Sequence, residues 1–199
     1  GDYKGVTIDE SGRHVAFVTN RDSFTAKQPE YVLYHWRTGA RSPRELAREG
    51  TPGLPEGWWV SEHGKLEFSK DGKRLFFGTA PRPEPEPESE TPEDEKVVVD
   101  IWNWQDPHIQ PRQLKALDKE KKRSYRAVAH LKSGRIVQLA TTDLPDIRLG
   151  SEGNADIALG ITTMPYRKET SWDIPGYQDV YVIDVKTGKS RQILRRVQD

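Results

Sequence analysis

The sequence predicts an all-β chain built from repeated four-stranded antiparallel units. Three observations predict it: a strand–turn–strand phrase that occurs twice, a second hairpin phrase that recurs downstream of it, and the wealth of aromatic and β-branched residues in an otherwise polar chain. Residues 8–19 (IDESGRHVAFVT) and 68–79 (FSKDGKRLFFGT) share an apolar start, three polar residues, a glycine, two basic residues and an apolar run ending in threonine. Gly12 and Gly72 occupy the turn, where positive φ is needed. Residues 31–46 (YVLYHWRTGARSPREL) and 99–114 (VDIWNWQDPHIQPRQL) form the second pair, with Trp36, Pro43, Arg44 and Leu46 answered by Trp104, Pro111, Arg112 and Leu114.

The elements follow in order. Residues 180–194 (VYVIDVKTGKSRQIL) carry a third hairpin of this kind, Thr187-Gly188 standing where Thr38-Gly39 stand in the first. Residues 125–139 (YRAVAHLKSGRIVQL) form another, turning at Ser133-Gly134, and residues 155–164 supply one more strand. Val, Ile, Tyr, Phe and Trp fill these runs and Gly, Asp, Lys and Ser separate them, which is strand and hairpin chemistry. Only residues 42–48 and 115–123 are helix-tolerant, and the second reads equally as a long loop. Two hairpins make four strands, and four-stranded units in series are the sequence form of a propeller blade. The spacing gives one partial β-propeller over residues 1–199 of about three blades, with approximate units 1–48, 58–117 and 118–199. Residues 81–96 (PRPEPEPESETPEDEK) have no apolar side chain large enough to build a core and read as a flexible Pro/Glu loop. An acidic docking segment is the other reading of that tract. Closed rings take about four blades or more, so an incomplete ring with exposed edges is expected.

Composition narrows the function classes. With 34% hydrophobic and 31% charged residues the chain is polar, yet 6 Trp, 7 Tyr and 5 Phe set it apart from disordered sequences. The 31 acidic and 31 basic residues cancel, and no basic tract interleaved with aromatics suggests a nucleic-acid partner. No apolar run approaches the roughly 18 residues of a membrane span, and no signal peptide is present. Gly1 at the start and Met164 as the one methionine read as a processed product or an excised piece. The absence of cysteine excludes disulfides, thiolate catalysis and Cys-ligated zinc.

No catalytic motif is found. A nucleophile elbow needs G-x-S-x-G. Ser151 comes nearest, but Gly150 is adjacent to it where a one-residue gap is required. Gly188-Lys189-Ser190 resembles the tail of a phosphate loop, but the position of the first glycine is Ile183, inside a strand. His14, His35, His63, His108 and His130 show no close zinc spacing, and His14 and His35 fall within strands as structural residues. Asp71-Gly72 lacks the remainder of an EF-hand loop and is explained by turn chemistry. Trp102, Trp104 and Trp172 are read as packing between blades rather than as stacking platforms. Trp58 and Trp59 are the exception. They end a Pro/Gly loop, and adjacent strand residues point to opposite faces, so one of them is free to meet a peptide at the ring's central opening. The site expected from sequence is therefore Trp58 and Trp59 for peptide contact, with no catalytic, cofactor or metal residue.

The phrase SKDGKRLFF at residues 69–77 resembles the blade motif of TolB-type and S9-peptidase propellers. The Trp-rich string at residues 97–114 and Ser171-Trp172-Asp173 followed by residues 179–194 are similar to the N-terminal propeller region of large bacterial prolyl-oligopeptidase-like proteins, and the likeness runs from about Val6 to Leu194. The resemblance implies a C-terminal α/β-hydrolase domain in the same polypeptide, bearing the Ser, Asp and His, with the propeller admitting short peptides and excluding folded proteins. It implies a periplasmic or secreted setting. The alternatives are a TolB-like propeller that binds another protein and a glycan-binding propeller that uses its tryptophans.

Overall fold

The computed structural model describes residues 1–84, 110–169 and 176–198. Most of the Pro/Glu tract, the strand expected from residue 99, Trp102, Trp104, His108 and Trp172 lie outside the described residues. The strands form three antiparallel sheets, each a meander in chain order. The first holds β1 (Tyr3–Ile8), β2 (His14–Thr19), β3 (Val32–Arg37) and β4 (Arg44–Ala47). The second holds β5 (Trp58–Val60), β7 (Arg74–Pro81), β8 (Tyr125–His130) and β9 (Arg135–Gln138), with the short β6 (Glu67–Phe68) also paired to β7. The third holds β10 (Asp146–Leu149), β11 (Ile157–Thr162), β12 (Tyr177–Asp184) and β13 (Ser190–Gln198). These are propeller blades, as the repeats predicted.

Two boundaries differ from the sequence expectation. Residues 110–114 do not form the return strand that the match to residues 42–46 suggested. They open α1 (Gln110–Lys121), whose sequence QPRQLKALDKEK has proline in its first turn, strong helix formers after it and no β-branched residue. The outer strands of the second sheet are instead β8 and β9, so its strands span residues 58–138 and the division at 117/118 falls inside one sheet. Residues 42–48, helix-tolerant by composition, contain β4, because pairing Ala47 with Leu33 buries Leu46 and Ala47. Packing overrides propensity there.

The repeated turn is closed by the same two side chains in opposite order. After β1, the Asp9 carboxylate accepts the backbone N–H groups of Arg13 (2.8 Å) and His14 (2.7 Å) and the Ser11 hydroxyl. Before β7, Ser69 takes the place of Asp9. Its hydroxyl accepts the N–H of Arg74 (3.0 Å) and donates to Asp71 (2.7 Å), which takes the place of Ser11. Gly12 (φ +68°) and Gly72 (φ +66°) supply the left-handed residue in each.

The second sheet is buried on both faces, and its strand period divides its side chains between two cores. Leu75 and Phe77 of β7, Ala127 and Ala129 of β8 and Ile136 of β9 pack with Ala16, Val18, Leu33 and Ala47 of the first sheet. The intervening Phe76, Val128 and Val137 pack with Ala158 and Ile183 of the third.

Polar locks join the sheets where apolar packing ends. Arg74, 8% exposed, donates to the carbonyls of Gly153 (3.2 Å), Asn154 (3.0 Å) and Ala155 (2.6 Å) and pairs with the Asp156 carboxylate. Those carbonyls belong to the turn between β10 and β11, where Ser151, Glu152 and Gly153 all have positive φ and leave their backbone groups without strand partners. In the first sheet His14 holds the place of Arg74. Its Nδ1 lies 2.8 Å from Nε2 of His35, and both rings lie against Phe68. His35 is 5% exposed, and its Nδ1 has no hydrogen-bond partner among the described residues. Burial, with His14, Arg44 and Arg37 nearby and only Asp9 opposing, pushes this imidazole down to about 4 from 6.5.

Two predictions follow from these locks. Replacing Arg74 with Met leaves three turn carbonyls unpaired and is expected to cost about 2–4 kcal/mol in urea unfolding, whereas Asp156→Asn, at an exposed carboxylate, should shift the unfolding midpoint far less. Equal losses would contradict the lock. Between pH 6.5 and about 4 the unfolded chain takes up a proton at His35 that the folded chain refuses. The stability held above pH 6.5 is therefore lost as pH falls through that window. His35→Val, which copies Val128 at the matching position of the second sheet, should flatten part of the fall in melting temperature between pH 7 and 4. Parallel melting curves for the two proteins would remove His35 as the cause.

Candidate functional site

The second sheet's first strand is broken in two, and the break builds the site. β5 pairs with β7 through Trp58↔Pro81, Trp59↔Ala80 and Val60↔Thr79, and β6 resumes at Glu67↔Phe76. Between them residues 61–66 bow away from β7 where two glycines meet. A β-carbon on Gly64 would stand 2.3 Å from the Cα of Gly78, and one on Gly78 would stand 2.4 Å from the Cα of Gly64. The Ser61 N–H donates to the Gly78 carbonyl (2.9 Å), which fixes the bow at its start. Such an interruption re-aims the side chains it carries.

The bow directs Glu62 and His63 into a cleft of about 900 Å³ beside the junction of the first and second sheets. Tyr31 and Trp59 line its floor with Tyr125, while Pro29 and Pro83 stand at its sides. Tyr31 reaches this place through a backbone bridge to Val60, which ties the first sheet to the broken strand. The strand alternation separates the two tryptophans. Trp59 lies on the cleft, with the Arg82 guanidinium 5.5 Å from its ring centre. Arg82 is held in turn by Glu49 (2.6 Å). Trp58 alternates to the face that carries Tyr125 and packs against that cleft residue, ring centres 5.0 Å apart and tilted by 55°. Both tryptophans are half-buried.

Charges at the cleft come largely in pairs. Burial pushes the Glu62 carboxyl up, but the hydrogen bond and charge of Lys4, with Tyr31 and His63 beside it, together hold it below the ordinary range. Lys4 also lies over the Tyr31 ring at 5.3 Å. Burial pushes the Tyr31 hydroxyl up. Across the cleft Arg123 makes a two-armed pair with Glu120, which lowers the Glu120 carboxyl. Aromatic floor, proline sides and paired charges suit a short, extended, mixed-polarity ligand.

Ser61, Glu62 and His63 are the residue types of a hydrolytic triad, but they are not arranged as one. Ser61 is buried, its hydroxyl accepts the backbone N–H of His63 (3.2 Å), and the His63 ring faces Glu62 at 3.8 Å. Ser151 lies in the turn that Arg74 clasps. Gly188-Lys189-Ser190 closes the β12–β13 hairpin, where the N–H of Gly188 donates to the Asp184 carbonyl (2.8 Å). His14 and His35 sit side by side between the first two sheets, away from the cleft, and His130 Nε2 donates to the Val185 carbonyl (3.2 Å) just past β12. Among the described residues no three His, Asp or Glu side chains converge as metal ligands.

Sequence reasoning singled out Trp58 and Trp59 but not Tyr31, Glu62 or Tyr125. The usable signal was Gly64 and Gly78, since a glycine inside a strand pattern marks close backbone approach.

No family model matches the sequence, and no curated protein is similar to it in sequence. Solved structures of the same kind of fold exist. One is from a study of two prolyl endopeptidases: 12% identity over 98% of this chain and 22% of the other, with a TM-score of 0.47. A second is the β-propeller domain of the Trilobed protease from Pyrococcus furiosus, at 11% identity over 98% and 44% with a TM-score of 0.40. A third is TolB from Acinetobacter baumannii, at 9% identity over 96% and 32% with a TM-score of 0.39. The chain thus spans less than half the length of each of these proteins, and what it shares with TolB and with the propeller domains of these peptidases is the arrangement of strands into blades.

Proposed function

We propose that this chain is a non-catalytic propeller portion of a prolyl-oligopeptidase-like serine peptidase, controlling peptide access to an α/β-hydrolase domain of the same polypeptide, with the cleft at Trp59 as a peptide contact. One observation supports the incomplete ring above others: among the described residues, both end sheets carry apolar faces without a partner sheet. On the far side of the third sheet Ile157 is 58% exposed and Leu159 and Leu194 stand on the same face. These positions continue the face that Phe76 and Val128 present in the second sheet. On the far side of the first sheet Tyr3 and Ile8 are exposed, and a stack of Tyr3, Phe17 and Tyr34 runs across β1, β2 and β3. Apolar faces of this extent call for neighbours. The sequence phrases shared with S9 propellers and the aromatic cleft complete the support.

Fluorophosphonate labelling of the intact native protein tests the peptidase reading. Label at a mass far above 22.8 kDa, with the 199 residues unlabelled, is the expected result. A native product that takes no label and holds a protein partner would move the assignment to a TolB-like binding propeller. For the cleft, Trp59→Ala is expected to raise KM for short peptides by more than about 3-fold with little change in melting temperature. Trp58→Ala, which removes the packing on Tyr125, should instead cost about 1–3 kcal/mol in stability. The opposite pattern would take Trp59 out of the peptide path.

A further inference from the structure

The start of β8 serves two spaces. Arg123 and Tyr125 border the cleft already described, and the alternating residues Ser124 and Arg126 lie on the other face, the one turned toward the third sheet, which they share by register with Trp59 opposite Ala80. Arg126 lies opposite Gly78 in the β7–β8 register, at the level where β7 offers no side chain. It borders two adjoining cavities of about 330 and 310 Å³, which share Arg126 and Ile147. The larger is also lined by His63, Lys65, Ser124 and Asp146.

Among the described residues the half-buried Arg126 guanidinium makes no ion pair and no hydrogen bond. Arg74, on the same face of the same sheet, shows what a structural arginine does in this protein: it donates to three carbonyls and one carboxylate. A guanidinium cannot shed its charge, and its planar fork of N–H donors matches a carboxylate. The surroundings set the charge of the guest. In the larger cavity Lys65 is paired with Glu67 (3.2 Å) and Asp146 stands on the same wall, and the adjoining cavity adds Glu67, Glu152 and Arg148, so carboxylates on both sides of Arg126 disfavour a second negative charge on the guest. His63 borders both this cavity and the aromatic cleft, so the two spaces meet at that side chain.

We propose that the cavity at Arg126 is a carboxylate-binding pocket that anchors the terminal carboxylate of a short peptide whose body lies along the Trp59 cleft. The proposal rests on the reading of that cleft as a peptide contact and adds the group recognised at one end. A monocarboxylate fits these surroundings better than a phosphate dianion, because Asp146 in the larger cavity and Glu67 and Glu152 in the adjoining one oppose a second negative charge.

The test is calorimetric titration of the intact native protein with trialanine as the free acid and as the C-terminal amide, alongside acetate and inorganic phosphate as small competitors. The free acid is expected to bind about 10-fold or more tightly than the amide, and acetate to compete better than phosphate. In Arg126→Gln the acid and amide should bind alike. Arg126→Lys, which keeps the charge and loses the fork, should restore part of the preference. Unchanged melting temperatures certify the fold of both variants. Equal binding of acid and amide to the native protein, no binding of either, or a preference that survives in Arg126→Gln overturns the proposal. Trp59→Ala separates the two readings. If it weakens acid and amide alike while the native protein does not distinguish them, the cleft stands and the pocket falls. If the acid preference depends on Arg126 but is indifferent to Trp59, the pocket stands and the cleft falls.

Discussion

The structure depends on a sheet that has no outside. β7 is buried from Arg74 to Thr79, and each of its side chains is committed to one neighbour or the other: Leu75 and Phe77 to the first sheet, Phe76 to the third. A one-residue slip of β7 against β8 would exchange these sets and put Phe76 where the first sheet presents Ala16 and Leu33, so the register is fixed from both sides at once. This explains how a chain with a mean hydropathy of −0.84 builds a core. The apolar residues are few, but they are concentrated in the strands of one sheet and used on both of its faces, while charge is carried by turns, outer strands and α1.

The same constraint makes the turns matter. Stacked sheets must be held at the ends of their strands as well as in their middles. The residue two places after the turn glycine is placed to do so: His14 in the first sheet and Arg74 in the second. Their partners differ because the turns they face differ. The tight turn before β7 is closed by Ser69 and Asp71, gives its Lys70 and Asp71 N–H groups to the Glu152 carbonyl (3.1 Å) and Asn154 Oδ1 (3.0 Å), and meets the His14 ring with that of Phe68. The longer turn before β11 has spare carbonyls, and a guanidinium answers them. The cost in the first sheet is an imidazole held neutral with one nitrogen unsatisfied, at the position where the second sheet has Val128.

Much of this was legible in the sequence because turns are local. The turn glycine, the three polar residues before it and the apolar runs on either side can each be read within a dozen residues, and they predicted the blades. What was not legible depends on distance. β8 and β9 join β7 only after α1 and the segment before it. A chance agreement of Pro111, Arg112 and Leu114 with Pro43, Arg44 and Leu46 then outweighed the helix propensity of residues 110–121. The broken first strand was hidden for a similar reason, since three residues at Trp58–Val60 and two at Glu67–Phe68 are too short to show a period. The opposite faces of Trp58 and Trp59 follow from strand geometry alone. That Tyr31, His63, Pro83 and Tyr125 gather around Trp59 does not, since those residues come from four separate segments.

The pair of glycines that breaks the strand also determines where chemistry is available. Gly78 removes one side chain from a face that is otherwise fully used, and Gly64 fills that place with backbone, so the bow from Ser61 to Leu66 stands between two cavities that share His63. Arg74 and Arg126 share the face turned to the third sheet but lie at its two ends. At one end the neighbouring turn brings its carbonyls within reach and the arginine is spent on holding sheets together. At the other end the neighbour is β10, paired along one edge with β11, and among the described residues no group of the third sheet pairs with the guanidinium. A charge that the protein's own fold leaves without a partner, in a cavity that adjoins an aromatic cleft, is better explained by a ligand than by stability. The arginine that stabilises and the arginine that is free to recognise are distinguished by what the opposing backbone has left to offer.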